Sequence, residues 1–183
     1  RGRQDFVYRI TLAERPFITS LFPLGTQTRH RRYVDIEGWN LPGQQLLLDP
    51  GRDMPGVRQR SLGSGKHSSN TVTFAVDDLP ADPESEPNDD LAGAQRIALG
   101  HIADGRIGTP GDIDVFQFKG KVGSQIVVEI SARRLNSPLD SVLRLLDAAG
   151  NILAGNDDYE HKEGVLYLDS GVLASDTVTI IGQ

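Results

Sequence analysis

The sequence is organised around two acidic runs, Glu84-Ser85-Glu86-Pro87-Asn88-Asp89-Asp90 and Gly111-Asp112-Ile113-Asp114-Val115-Phe116-Gln117-Phe118. Oxygen-bearing side chains crowd both runs, and a short apolar stretch separates them. If the chain folds back between the runs, their carboxylates converge on one hard cation. A metal site is therefore the sharpest chemical hypothesis that these residues support.

Charge is divided unevenly along the 183 residues. Residues 1–78 carry 11 Lys/Arg against 8 Asp/Glu, whereas residues 79–183 carry 8 against 17. The acidic second half repels nucleic acid phosphates, so nucleic acid is not an expected partner. No apolar run approaches the length of a membrane span, so membrane insertion is not expected. The absence of cysteine excludes disulfides, thiolate nucleophiles and Cys-based zinc sites.

Short strand-like runs alternate with Gly, Pro, Asn and Asp turns, which predicts an all-β protein. The uneven charge favours two β-sandwich domains, at residues 1–78 and 86–183, joined by a proline-stiffened linker at 79–85. A mobile loop is expected at 50–70, and a short helix capped by Asn88 or Asp89 is expected through 91–95. Strands are predicted at 6–12, 17–25, 33–38, 45–49, 71–76, 97–99, 101–107, 114–119, 125–132, 141–146 and 152–154.

The motifs of the second half follow one another in a recognisable order: Glu86-Pro87-Asn88-Asp89, Gly105-Arg106-Ile107, the run 111–118, Gly123-Ser124-Gln125, residues 139–147, Gly150-Asn151-Ile152-Leu153-Ala154 and Asn156-Asp157-Asp158. This order resembles the bacterial pre-peptidase C-terminal (PPC) domain, a family that includes the collagen-binding domains of secreted collagenases. The resemblance implies a secreted jelly-roll sandwich that is not itself catalytic, is appended to exported proteins and, in some members, binds calcium.

The first half carries a shorter resemblance. Residues 16–25 and 34–41 look like the opening of an IPT/TIG domain, which implies an immunoglobulin-like sandwich. The second half departs from the PPC pattern near Gln183, where the closing Tyr-Xaa-Leu strand is not evident, whereas residues 6–12 look like such a strand. We therefore expect either one period of a tandem array or a second sandwich completed by residues 6–12.

The candidate metal ligands are six oxygen-bearing residues: Glu84, Glu86, Asn88, Asp89, Asp112 and Asp114. In an extended segment the three even-numbered residues of the first run project to one side. Their alternation resembles the metal-holding pattern of calcium-binding collagen-binding domains, which implies Ca²⁺ as the cofactor. Asp90 is the replacement candidate for Asp114. The structural alternative is a solvated acidic loop in which Asn88 or Asp89 caps a helix and Asp112 closes a turn.

The catalytic residue types do not form a recognisable pattern. The four histidines are scattered, and Ser64 lacks the strand-turn-helix context of a nucleophile elbow. We therefore predict a non-catalytic accessory or adhesion module of an exported bacterial protein, located outside the cell, at its surface or in the periplasm. The expected partners are an extracellular polysaccharide or matrix protein and other domains of the same polypeptide. The alternative is a structural spacer of a large cell-surface protein, without a ligand.

Exposed aromatic side chains are the expected means of binding on a sandwich face. Tyr159 and Tyr167 are the preferred surface candidates, and Tyr33 is a further one. Trp39 is expected in the core or as a plug at a strand end. The run Arg29-His30-Arg31-Arg32 is predicted to be a solvated hairpin tip, with an anionic glycan or a neighbour's acidic domain as alternative partners.

Overall fold

The structure, a computed structural model, describes residues 3, 5, 7–52, 54–157 and 177–182, except the side chains at 66 and 177–181. Its strands are β1 (Phe17–Phe22), β2 (Gly25–Gln27), β3 (Arg32–Trp39), β4 (Gln45–Leu48), β5 (Gly56–Arg60), β6 (Val72–Asp77), β7 (Ala81–Pro83), β8 (Gln95–Arg96), β9 (Ile102–Asp104), β10 (Asp114–Lys119), β11 (Leu143–Asp147), β12 (Ile152–Asn156) and β13 (Thr177–Gly182). The helical segments of the described residues are two 3₁₀ turns, Gly65–His67 and Arg133–Leu135. The all-β prediction is confirmed.

Strands β1 to β6 form two three-stranded sheets around one core. The first sheet has the order β1-β3-β4 with antiparallel pairs, and the second has the order β2-β6-β5 with β2 parallel to β6. Along β3 the buried Val34 and Ile36 alternate with exposed polar residues, as a half-buried strand requires. The core consists of the buried residues Ile18, Leu21, Val34, Ile36, Leu46, Leu48, Val72, Phe74 and Val76. This arrangement fits a β-sandwich.

The second half contains a five-stranded sheet of order β12-β11-β13-β10-β8 and a parallel pair, β7-β9. Strand β13 lies at the centre of the larger sheet and pairs antiparallel with both β10 and β11. A second core cluster is formed by the buried residues Phe118, Ile126, Leu143 and Leu145. The two clusters do not share residues, and the division of the chain into two domains at 79–85 stays a prediction.

Side-chain contacts between described residues join the two halves. Arg32 Nη1 donates a hydrogen bond to Asp104 Oδ2 at 2.7 Å, and Asn136 Nδ2 donates one to Thr73 Oγ1 at 2.9 Å. The Arg106 guanidinium lies 4.5 Å from the centre of the Phe22 ring, within cation–π range. Burial raises the pKa of the Asp104 carboxyl, although the Arg32 cation opposes that increase. Arg32, at the end of the predicted hairpin tip, thus contacts the acidic half of its own chain.

Replacing Arg32 with alanine is expected to lower the free energy of unfolding by roughly 2 kcal/mol, because Asp104 has a side chain only 12% exposed and would lose its cation. The adjacent Arg31→Ala variant is the matched control. Arg31 pairs with Asp49 through a side chain that is 72% exposed, so its loss is expected to cost less than about 0.5 kcal/mol. Urea unfolding of both variants measures the difference, and equal costs would contradict the structural role of the Arg32 contact.

The strand predicted at 6–12 is wrong for its described residues. Residues 7–12 belong to no strand, and the side chains of Val7, Tyr8, Ile10 and Leu12 are exposed. The centre of the second half's large sheet is occupied by β13 instead. A run of β-forming residues indicates a strand but does not choose its partner, which non-local hydrogen bonds decide.

Other local predictions also differ from the structure. The predicted loop 50–70 contains β5, and residues 81–83 of the predicted linker form β7. The helix predicted at 91–95 is absent. Residues 91–93 form a turn, because Asp90 Oδ1 accepts hydrogen bonds from the backbone N–H groups of Ala92 and Gly93, and Gln95 begins β8. The predicted strand at 125–132 is absent. Among the described residues, no helix is long and apolar enough to cross a membrane.

Candidate metal centre

Two short elements bring the acidic runs together. Glu84 follows β7 directly, and its backbone N–H donates to the Asp104 carbonyl at the end of β9. The run then crosses to the start of β10, where the Val115 N–H donates to the Asn88 carbonyl at 3.0 Å. Asp114 is the first residue of β10. The chain therefore folds back between the runs, as the metal hypothesis requires.

Three carboxylates converge at this crossing. Glu84, Glu86 and Asp114 each place one oxygen within 4.8 Å of the others. Backbone groups orient the two glutamates: Glu84 Oε2 accepts the Arg106 N–H at 2.8 Å, and Glu86 Oε2 accepts the Asn88 N–H at 2.9 Å. Gly105 leaves room for Glu84, since a Cβ at that position would lie 3.1 Å from Glu84 Oε1. The carboxylates are thus held in place by the surrounding chain.

Asn88 adds a fourth oxygen-bearing side chain. It is fully buried at 0% exposure, and its Nδ2 donates to Glu84 Oε1 at 3.3 Å. Its Oδ1 is buried and has no hydrogen-bond partner among the described residues, and the same holds for Asp114 Oδ1. Buried acceptors in folded proteins are nearly always satisfied, so two orphaned oxygens beside a carboxylate cluster need an explanation. A bound cation would supply it.

The electrostatics of the cluster disfavour three ionised carboxylates side by side. The pKa of Asp114 is raised to about 7; burial is the largest cause, and repulsion from Glu84 is the second. Asp112 and Glu86 add further repulsion. Calcium accepts carboxylate and amide oxygens together in a flexible geometry, so the donor set of Glu84, Glu86, Asn88 and Asp114 fits Ca²⁺.

The remaining candidates lie beside this group and have other partners. Asp112 Oδ2 accepts the Gly108 N–H, and this backbone hydrogen bond lowers the pKa of Asp112. Asp89 is exposed and lies beside Asp112. Asp90 closes the turn at 91–93 and is therefore no substitute for Asp114. The sequence placed Gly105 and Arg106 in a family motif but gave them no part in the site, where both lie against the Glu84 carboxylate.

Without calcium, the stability of the protein is expected to decrease as pH rises from about 4 to about 8 through the contribution of Asp114. The folded-state pKa of Asp114 lies above its ordinary value of 3.8, so this contribution is complete at low pH and is lost as pH passes through about 7. Thermal melts in EDTA at several pH values measure the slope, and the Asp114→Asn variant should show a shallower one. Identical slopes in the two proteins would contradict the clustered carboxylates.

The predicted aromatic candidates separate into two groups. Tyr159 and Tyr167 lie outside the described residues. Tyr33 is 65% exposed. Trp39 is the last residue of β3, as the strand-end alternative expected, but its side chain is 70% exposed, so the prediction that it lies in the core is wrong. The physical reason is strand alternation: Val34 and Ile36 face the core, so the odd-numbered residues of β3 face outward.

The chain resembles part of a known protein. A probable subtilase-type serine protease from Deinococcus radiodurans is 42% identical to it over 98 residues, which make up 52% of this chain and 13% of that protein. The chain therefore spans a small part of the relative's length. No family model matches the chain, and no solved structure matches it.

Proposed function

We propose that this chain is a non-catalytic accessory module of an exported bacterial protein, stabilised by calcium and contacting extracellular polysaccharide or matrix protein. Glu84, Glu86, Asn88 and Asp114 hold the ion, with Asp89 and Asp112 beside them. Calcium in this place bridges the segment after β7 and the start of β10. It fixes the connection between the halves and leaves exposed faces for binding.

One observation carries the metal part of the proposal. In the part of the chain that the structure describes, Asn88 Oδ1 and Asp114 Oδ1 are buried without hydrogen-bond partners beside the converging carboxylates of Glu84 and Glu86. A solvated acidic loop would direct these oxygens toward water or backbone N–H groups. Two buried acceptor oxygens that face inward, together with negatively charged carboxylates, are the arrangement expected of a cation site.

The accessory role draws support from the partial relative and the resemblance to PPC domains. A segment that corresponds to 13% of a probable protease can be an appended part of such a protein, and PPC domains are appended in this way. The same two likenesses support the proposal that the protein is exported from the cell. Calcium outside the cell is abundant enough to fill the weak sites of extracellular modules, with dissociation constants of about 10⁻⁴ to 10⁻³ M.

A binding screen tests the accessory role. The purified chain is incubated with collagen and with insoluble polysaccharides, in calcium and in EDTA, and the bound fraction is measured. The proposal expects retention by at least one material that is stronger in calcium. If none of these materials retains the chain, the accessory role is contradicted and the structural spacer remains as the candidate function.

The spacer is the second candidate function, and the contacts between the two halves favour it. The Arg32–Asp104 ion pair and the Asn136–Thr73 hydrogen bond would also suit a stiff rod element that binds nothing. A spacer would retain calcium stabilisation but give no signal in the binding screen. The two measurements together therefore separate the candidates.

A further inference from the structure

The outer face of the sheet β1-β3-β4 carries a pair of aromatic side chains at one end. Phe17 of β1 and Trp39 of β3 are directly opposite each other in the antiparallel register. Their exposures are 45% and 70%. Opposite residues of an antiparallel pair lie on the same face of the sheet, so the two aromatics form one platform that solvent reaches.

Polar groups follow along the same face. Glu37 is opposite Ser20, and Asp35 lies between Phe22 on β1 and Gln45 on β4. Ser20 Oγ donates to Glu37 Oε2 at 3.3 Å, and Gln45 Nε2 donates to Asp35 Oδ1 at 3.2 Å. A carboxylate has about four lone-pair sites, so each retains acceptor capacity for further donors.

The far end of the face is aromatic again. Tyr33 is 65% exposed and lies opposite Leu47, while Phe22 lies under the Arg106 guanidinium. Trp39 and Tyr33 are six positions apart on β3, which is about 20 Å along a strand. The face therefore runs from an aromatic platform through hydrogen-bonding groups to a second aromatic group.

We propose that this outer face, defined by Phe17, Trp39, Glu37, Asp35 and Tyr33, binds a neutral polysaccharide. A sugar ring has an apolar C–H face that stacks on an aromatic ring and hydroxyl groups that donate to carboxylates. Trp39 and Phe17 receive one ring, the carboxylates of Glu37 and Asp35 accept hydroxyls, and Tyr33 contacts a later residue of the same glycan. The inference rests on the proposed function and assigns it a ligand class and a face.

The charge in the middle of the face disfavours anionic ligands. Glu37 and Asp35 repel anionic glycans and nucleic acids there, whereas the Arg106 cation lies over Phe22 at the far end. The cores of protein interfaces are depleted of charged residues, whereas this face has its carboxylates in the middle and its aromatics at the ends. A ligand with many hydroxyl donors along an extended chain matches this order.

The test uses microcrystalline cellulose and chitin as neutral probes, heparin as an anionic probe and collagen as a protein probe. We expect the wild-type chain to bind at least one neutral probe, and Trp39→Ala to weaken that binding about tenfold or more, since buried aromatic anchors dominate binding free energies. Tyr8→Ala is the matched control, because it removes an aromatic side chain that is 86% exposed and belongs to none of the strands β1, β3 and β4. Thermal melting confirms that both variants fold.

Each result decides the inference. Binding to a neutral probe that Trp39→Ala weakens and Tyr8→Ala preserves supports it. Binding that Trp39→Ala leaves unchanged overturns it. Retention by collagen or heparin alone overturns the neutral-polysaccharide face, whereas the accessory role survives, because it includes matrix proteins and polysaccharides of any charge. Retention by no probe overturns both the inference and the accessory role.

Discussion

Calcium at 10 mM is expected to raise the melting temperature of the wild-type chain by roughly 10 °C. With a dissociation constant of about 10⁻⁴ M, this concentration stabilises the folded state by about 2.7 kcal/mol. A free-energy change of 1 kcal/mol shifts the melting temperature of a small domain by about 4 °C or more. The Asp114→Asn variant is expected to lose most of this increase, because it removes one charged ligand from the buried centre of the cluster.

The control for this experiment is Asp157→Asn. Asp157 is exposed in the loop after β12, so the variant removes the same charge without touching the cluster. It should retain the full calcium response, and magnesium should give a smaller one, because Mg²⁺ demands a stricter octahedral geometry. A calcium response that survives in Asp114→Asn would place the ion elsewhere.

Replacing Gly38 with alanine is expected to destabilise the first half by roughly 3 kcal/mol or more. A Cβ at position 38 would lie 1.9 Å from the Phe17 carbonyl oxygen, a backbone atom that cannot move without breaking the β1-β3 pairing. The backbone φ of Gly38 is +156°, which side chains rarely adopt. Urea unfolding measures the change, and the aromatic pair of Phe17 and Trp39 should be displaced with it.

Gly43 provides the matched control for Gly38. A Cβ at position 43 would meet nothing within 4 Å, and the residue has no positive φ. Gly43→Ala is therefore expected to change stability by less than about 1 kcal/mol. If both variants behave alike, the register of β1 against β3 is wrong.

The sequence predicted the class of fold and the meeting of the two acidic runs. Alternation along residues 33–38 predicted β3, because a half-buried strand leaves a local pattern. The strand predicted at 114–119 is β10. The very short β7 and β8 leave no such pattern. Residues 7–12 and β13 are both rich in β-forming residues, and only long-range hydrogen bonding places β13 between β10 and β11.

The choice of Asp114 rather than Asp90 as a metal ligand could have been predicted more firmly from the sequence. Asp114 has the same parity as Phe116 and Phe118 on β10, and all three are buried. Asp90 stands two and three residues before the N–H groups of Ala92 and Gly93, which is the position of a turn-capping aspartate. The sequence also indicated that Trp39 faces outward, because an even number of positions separates it from Tyr33 on the same strand. The orphaned oxygens of Asn88 and Asp114, by contrast, depend on the tertiary structure and leave no local pattern in the sequence.

A crystal structure grown in 10 mM calcium tests the central claim most directly. The account predicts anomalous density bounded by Glu84, Glu86, Asn88 and Asp114, with oxygens at about 2.3–2.6 Å from the ion. It also predicts that Asn88 Oδ1 and Asp114 Oδ1 become ligands. Absence of density at this cluster, with both oxygens still unpartnered or bonded to water, would contradict it.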